Sequence, residues 1–312
     1  MVNAVLIFPG QGAQKVGMGQ DLAERFPAAR DVFEAVDDAL DFPLSRLMWE
    51  GPEEELTLTH NAQPAILAHS TAVRVLVDGV VAGVAAAGHS LGEYSAYVAA
   101  GSIQLSDAAR LVRKRGELML EAGSVRRGTM AVVVGLATDA VESACSAVST
   151  NGSVAVAANL NTSDQTVISG DPDAISMAGE ACKEAGAKRV LPLNVSGAFH
   201  SPLMEPAREG LEQVLAGVEF SDPAFPVVAN VRAEPVADGA TAVRLLGEQL
   251  VSPVRWVECM TRAAQIAQPR SMFLECGPGK VLAGLLKRIV PDASVQSLGT
   301  ANGVAEFLGT HG

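Results

Sequence analysis

Three short segments of this 312-residue chain carry side chains that could do chemistry together. Gly88-His89-Ser90-Leu91-Gly92 is a G-x-S-x-G turn that closes an apolar, small-residue run from Val80 to Ala87. The stretch that follows, Leu91 to Ala100, reads as a helix stopped by Gly101. A strand turning sharply into a helix leaves room beside the serine only for glycine, and it presents the hydroxyl at the helix's positive end. A serine so placed is a candidate nucleophile and needs a base. Of the five histidines, His89 lies in the turn itself, so its side chain should point elsewhere. His69 falls mid-helix among alanines, His60 at a helix start and His311 in the C-terminal tail, where ordinary core or solvated histidines are expected. His200, in Ser196-Gly197-Ala198-Phe199-His200-Ser201-Pro202, lies on a Gly- and Pro-bounded loop where a cleft between domains would form, and it is the candidate base.

The third segment surrounds Arg115. A helix predicted from Ser106 to Ala122 has an apolar stripe at Ala108, Leu111, Val112, Leu118, Met119 and Ala122. Helical spacing puts Arg115 inside that stripe and leaves Arg113 and Lys114 off it. A guanidinium on a buried face is costly unless it meets an anion. Two partners are open: an Asp or Glu in a structural ion pair, or a substrate carboxylate held bidentately. The loop Pro9-Gly10-Gln11-Gly12-Ala13-Gln14 is glycine-rich, but a dinucleotide fingerprint would need glycine where Lys15 stands, and no G-x-x-x-x-G-K-[ST] occurs. Such a loop can instead aim backbone N–H groups into a site beside Ser90, as an oxyanion hole requires.

These residues must be positioned by an alternating pattern of strands and helices, which predicts an α/β fold with a largely parallel sheet. Ala4 to Phe8 reads as a buried strand, 17–40 and 61–79 as helical, Ser271 to Cys276 as a strand and Lys280 to Ile289 as a helix. Between Thr129 and Leu193 the order is strand 130–135, helix 138–148, strand 153–159, strand 165–169, helix 171–185, strand 188–193. That β-α-β-β-α-β order is ferredoxin-like and predicts a small domain inserted in a larger one. Apolar residues make up 48% and aromatics 4%, so the core must be built from Ala, Val and Leu. A net charge of −12 argues against nucleic acid as a partner. No apolar run is long enough to span a membrane. The cysteines (Cys145, Cys182, Cys259, Cys276) are scattered, without metal-site spacing, so no metal is expected and a soluble protein of a reducing compartment, the cytoplasm, is.

The chain resembles the malonyl-CoA:acyl-carrier-protein transacylases along essentially its whole length. The resemblance rests on Phe8-Pro9-Gly10-Gln11-Gly12-Ala13-Gln14, Gly88-His89-Ser90-Leu91-Gly92-Glu93-Tyr94-Ser95, Arg115-Gly116, Gly197-Ala198-Phe199-His200-Ser201 and Gly277-Pro278-Gly279-Lys280, in order and spacing. It implies a large α/β hydrolase-like domain at 1–127 and 197–312 with the ferredoxin-like insertion at 128–196. The implied reaction moves malonyl from coenzyme A to the phosphopantetheine thiol of a holo acyl carrier protein, for fatty-acid or polyketide synthesis. No cofactor is implied, because malonyl-CoA is a substrate and the phosphopantetheine belongs to the carrier, and a monomer is expected.

By the same resemblance, Ser90 would be the nucleophile, His200 its base, the N–H groups of Gln11 and Leu91 the oxyanion hole, and Arg115 the malonyl carboxylate's seat. Gln249 matches the position whose backbone carbonyl orients the histidine. Asn159 and Asn161 match asparagines facing the cleft, although as turn and strand-end residues they could equally have no catalytic part. Phe199 resembles the malonyl-selective pattern, in which a ring crowds a 2-methyl branch, while Gly197 replaces the histidine that often begins that motif in modular synthases. A carrier is strongly acidic, so an acidic enzyme needs a local basic landing site, for which Lys188, Arg189, Lys280, Lys287 and Arg288 are candidates. Two other classes stand beside this one. An esterase-type hydrolase would need an acid and then a histidine late in the chain, which His311 serves poorly. A non-catalytic carrier-binding module would have no use for Ser90, His200, Gln11 and Arg115 together.

Overall fold

The computed structural model describes residues 1–150, 152–267 and 271–312. Two strands belong to the first third, β1 (Val2–Phe8) and β2 (Val81–Gly88). Four follow in the middle: β3 (Thr129–Val134), β4 (Ala155–Thr162), β5 (Gln165–Gly170) and β6 (Arg189–Pro192). Four more close the chain: β7 (Val227–Val228), β8 (Pro235–Val236), β9 (Met272–Cys276) and β10 (Val295–Leu298).

They form two sheets. The larger runs β10-β9-β1-β2-β7-β8, and all its pairings are parallel except β7 with β8. A parallel sheet needs both faces covered, and β1 shows this in its period of two. Ala4, Leu6 and Phe8 enter one core, and Val5 and Ile7 enter the core on the other face. The α/β class expected from the sequence is therefore realised. The smaller sheet runs β4-β5-β3-β6, antiparallel throughout, with two helices (Thr138–Val148 and Pro172–Glu184) closing a core of its own around Val133, Val141, Ile168 and Ile175. That is the strand order of a ferredoxin-like unit.

β4 also fastens the small sheet to the segment at Val254, just before the helix Trp256–Ile266. Leu160 N–H donates to the Val254 carbonyl at 2.9 Å, and Val254 N–H donates to the Ala158 carbonyl at 2.8 Å. Register shifts on either side of this bridge, at Ala157/Asn159 and Leu160/Thr162, bend the strand there.

Two sequence expectations need correction. The helical stretch at 17–40 is two helices, Gln20–Arg25 and Pro27–Leu40, because Pro27 forces Phe26 out of the helical region to φ −126, ψ 112. The C-terminal stretch is not a tail: Ala301–His311 is a helix capped by the Thr300 side chain, and the His311 ring packs 4.6 Å from that of Phe307. Among the described residues, no helix is long and apolar enough to cross a membrane.

Candidate active site

Ser90 sits where β2 turns into the helix Gly92–Ala99. The turn is too tight for any side chain on its flanks. A Cβ on Gly88 would lie 1.8 Å from the Gly92 carbonyl carbon, and one on Gly92 would lie 2.1 Å from the Phe8 oxygen. Ser90 itself is bent to φ 52, in the left-handed region that a side chain normally avoids, and His200 is bent to φ 57. Such conformations persist only where the surroundings over-determine them.

The surroundings here are a closed set of hydrogen bonds. Ser90 Oγ–H donates to His200 Nε2 at 2.8 Å, and His200 Nδ1–H donates to the Gln249 backbone carbonyl at 2.9 Å. A carbonyl at Nδ1 fixes the tautomer, leaving Nε2 as the proton acceptor. Burial, reinforced by the Arg115 charge, lowers the His200 pKa to about 3, so the ring is neutral and able to accept a proton at ordinary pH. Ser90 N–H donates to Asn230 Oδ1 at 2.8 Å, and the Ser90 carbonyl accepts from Gln249 Nε2 at 3.1 Å.

Arg115 is buried beside the nucleophile. Its Nη2 donates to Ser90 Oγ at 3.1 Å and to Gln249 Oε1 at 2.9 Å, while Nη1 donates to Gln63 Oε1 at 2.8 Å. The guanidinium carbon lies 5.5 Å from the centre of the Tyr94 ring. Among the described residues Arg115 makes no ion pair, so the structural salt bridge that the sequence left open is not present. Two amide oxygens orient the fork without neutralising it. Of its five N–H groups, one on Nη1 and the one on Nε remain without an acceptor.

A cavity of about 230 Å³ opens on these groups, with walls from Gln11, Met119, Met130, Asn159, Leu193 and Phe199. It shares Gln11, Thr57, Asn194 and Val195 with an outer groove of about 460 Å³ that continues over Glu53, Leu58 and Ser196. Leu91 and Gln11 both border the inner cavity, and their backbone N–H groups donate to no acceptor among the described residues. Asn159 borders it too. Asn161 instead accepts from His89 Nε2–H at 2.9 Å and holds that ring, which lies 5.4 Å from Trp256.

The basic candidates do not gather at the cavity. Lys188 and Arg189 are exposed on the small sheet, and β6 leads from them to Leu193, about 15 Å farther on at strand rise. Lys280 borders a separate cavity with Lys15 and Thr300, and Lys287 is exposed on the helix Val281–Ile289. Arg288 is paired with Asp164, across the seam between the sheets.

Three residues beneath the site were not singled out from sequence: Gln63, Glu93 and Asn230. Gln63 had a signal, a polar residue in a helix (Thr59–Val77) buried on nearly every side. Glu93 had one in its place on the first turn after the serine. Asn230 had none, because the strand before it is only two residues long.

The chain is similar to known proteins along nearly its whole length. The acyl transferase domain family matches residues 5–302. The malonyl CoA-acyl carrier protein transacylase of Bacillus subtilis is 46% identical over 292 residues, covering 93% of this chain and 91% of that protein. The crystal structure of an acyl carrier protein S-malonyltransferase from Vibrio cholerae superposes with a TM-score of 0.93 at 41% identity, covering 98% of this chain and 100% of that one. A malonyl-transacylase solved in complex with its type II PKS acyl-carrier protein superposes with a TM-score of 0.94 at 42% identity, covering 99% and 100%. With a match over most of its length and these relatives, the chain belongs to the acyl transferase domain family.

Proposed function

We propose that the protein transfers malonyl from malonyl-CoA to the phosphopantetheine thiol of an acyl carrier protein, through a malonyl-Ser90 intermediate. The observation that carries this reading is Arg115: a buried guanidinium with no ion-pair partner among the described residues, 3.1 Å from the hydroxyl oxygen that would attack. A substrate bearing a carboxylate near its thioester supplies the missing charge, whereas a simple acyl ester leaves it uncompensated.

In the first half-reaction His200 Nε2 takes the Ser90 proton as Oγ attacks the thioester carbonyl. The oxyanion that develops is received by the N–H groups of Leu91 and Gln11, each such donor lowering the barrier by ~3 kcal/mol. The C–S bond breaks, and the coenzyme A sulfur takes the proton from His200. In the second half-reaction His200 takes the proton of the carrier's thiol as its sulfur attacks malonyl-Ser90; the C–O bond to Ser90 then breaks, and His200 returns the proton to Oγ. The Gln249 carbonyl acts where an Asp would stand in a Ser-His-Asp set, stabilising the imidazolium without a full charge. Thioester is exchanged for thioester, so the reaction runs both ways and is ping-pong. Every step uses groups of this chain and its two substrates, and no cofactor enters.

Phe199 closes the cavity beside His200 and would crowd a 2-methyl branch, and Asn159 lines the path of the acyl group. Asn161 supports the wall indirectly, by holding His89. For the carrier we propose a landing on the small sheet at Lys188 and Arg189, whose strand leads to the cavity mouth; Lys280, Lys287 and Arg288 form a weaker second patch, since Arg288 is already paired. We further propose 128–196 as the inserted unit, supported by its separate sheet and core, and the cytoplasm as the compartment, supported by four buried, unpaired thiols. The test of the reaction is stoichiometric. Malonyl-CoA alone should release one coenzyme A per chain and then stop until holo carrier is added; continuous release with free malonate would instead favour a hydrolase.

A further inference from the structure

Glu93 takes no part in the steps above, yet the site is hung on it. It lies three residues beyond the nucleophile and is completely buried. Its Oε2 accepts from the Asn230 backbone N–H at 3.0 Å and from Gln249 Nε2 at 2.7 Å, and its Oε1 has no partner. Those two residues clamp Ser90 from both sides of its strained backbone: Asn230 Oδ1 takes the Ser90 N–H, and Gln249 Nε2 also donates to the Ser90 carbonyl. Asn230 Nδ2 further donates to the Gly88 carbonyl at 2.7 Å, on the other arm of the turn. Gln249 extends the clamp to the remaining machinery, because its amide oxygen holds Arg115 and its backbone carbonyl holds His200.

A primary amide can turn end for end at little steric cost, so its partners decide which end faces which way. With a carboxyl oxygen against Nε2, the Gln249 amide oxygen must face Arg115. The reverse orientation would set oxygen against oxygen at Glu93 and N–H against N–H at Arg115. We infer that Glu93 is a positioning residue for acyl transfer, which fixes the polarity of the Gln249 amide and seats Asn230, and so holds Ser90, His200 and Arg115 in one register. The inference rests on the acyl-transfer reading. Burial lifts the Glu93 carboxyl to about 7. A proton on the unpartnered Oε1 leaves both hydrogen bonds to Oε2 in place, so the role survives either protonation state.

Single-turnover acylation of Ser90 by malonyl-CoA and by acetyl-CoA, compared in wild type, Glu93→Ala, Glu93→Asp and Glu93→Gln, tests it. Glu93→Ala should slow malonyl acylation about 10²-fold, the scale of a small misplacement of reacting groups. It should also lower the malonyl-to-acetyl ratio about tenfold, because Arg115 loses a fixed acceptor as well as the base its guide. Glu93→Gln can accept both hydrogen bonds through its amide oxygen and should restore most of the rate and the ratio. Glu93→Asp, drawn back by one methylene, should fall between. A Glu93→Ala or Glu93→Asp protein with wild-type rate and ratio overturns the role of Glu93 and leaves the transferase reading standing. So does a slower enzyme with an unchanged ratio, or a Gln variant that recovers nothing. If Glu93→Ala does not fold, the Asp and Gln variants decide alone. No adduct on wild-type Ser90 would overturn both readings at once.

Discussion

The floor and the mouth of the cavity are built in opposite ways. The floor is buried and tightly linked: Ser90, His200, Arg115, Gln249, Asn230 and Glu93 are joined in one hydrogen-bonded set, in which Arg115 Nε and Glu93 Oε1 keep no partner, and all of them but Ser90 are buried. The mouth is open: Leu193, Asn194 and Ser196 are exposed, and they continue the edge strand β6, itself largely exposed. Ser90 hangs from a parallel strand whose end is buried, while the mouth is shared between the segment after β6 and the stretch from Glu53 to Thr59. Rigid parts thus hold the groups that must meet within tenths of an ångström, while exposed parts receive substrates that must enter and leave.

If that division holds, damage to the floor should act on chemistry and damage to the mouth on recognition. The largest effect should come from Ser90→Ala or His200→Ala, each lowering turnover about 10⁴-fold or more with little change in thermal stability, measured by carrier malonylation. The same floor predicts a pH dependence. A histidine with an ordinary value of 6.5 would lose its free Nε2 as pH falls through that range. His200, lowered to about 3 by burial, stays neutral, so acylation should remain undiminished at pH 5. A rate that halves near pH 6.5 and follows His200 would break the account of a buried floor.

Next in size is Arg115→Ala. Removing the fork should lower malonyl acylation about 10²-fold while leaving acetyl acylation within a few-fold, so that preference turns toward acetyl-CoA. An unchanged ratio would remove Arg115 from the site. Phe199 lies between the two regions, in the wall rather than the floor. Phe199→Ser should let methylmalonyl transfer rise about tenfold by opening space for one branch, a gain on the scale of a methyl group in a pocket. The smallest effect belongs to the mouth. Lys188→Glu with Arg189→Glu should raise KM for the carrier roughly threefold and flatten its salt dependence, leaving acylation of Ser90 by malonyl-CoA untouched. Carrier kinetics that do not respond to the double reversal would move the landing elsewhere.

The parts of the fold that could be read from the residues are those with a clear period or a hard steric rule. Ala4–Phe8 and the small-residue run before Ser90 read as buried strands because they are apolar without interruption. The elements between Thr129 and Pro192 could be read in their order because each is bounded by turns. The break at Phe26 was legible in principle, since Pro27 dictates it, but the amphipathic pattern runs straight across it. β7 and β8, of two residues each, offer no period to detect. Ser90, His200 and Arg115 stood out because each is a polar residue in a setting that must explain it. The amide layer beneath them did not, because Asn230 and the Gln249 side chain reach Ser90 and Glu93 across 137 to 159 residues of chain, and Gln63 reaches Arg115 across 52.

The central claim is that Ser90 carries the malonyl group between two thiols. It is tested most directly by mixing the protein with malonyl-CoA, locating the adduct by peptide mass spectrometry, and then adding holo acyl carrier protein. The account predicts one malonyl group on the peptide containing Ser90, none in Ser90→Ala, and its quantitative passage to the carrier. Malonyl found on another residue, or an adduct on Ser90 that water removes and the carrier does not, would contradict it.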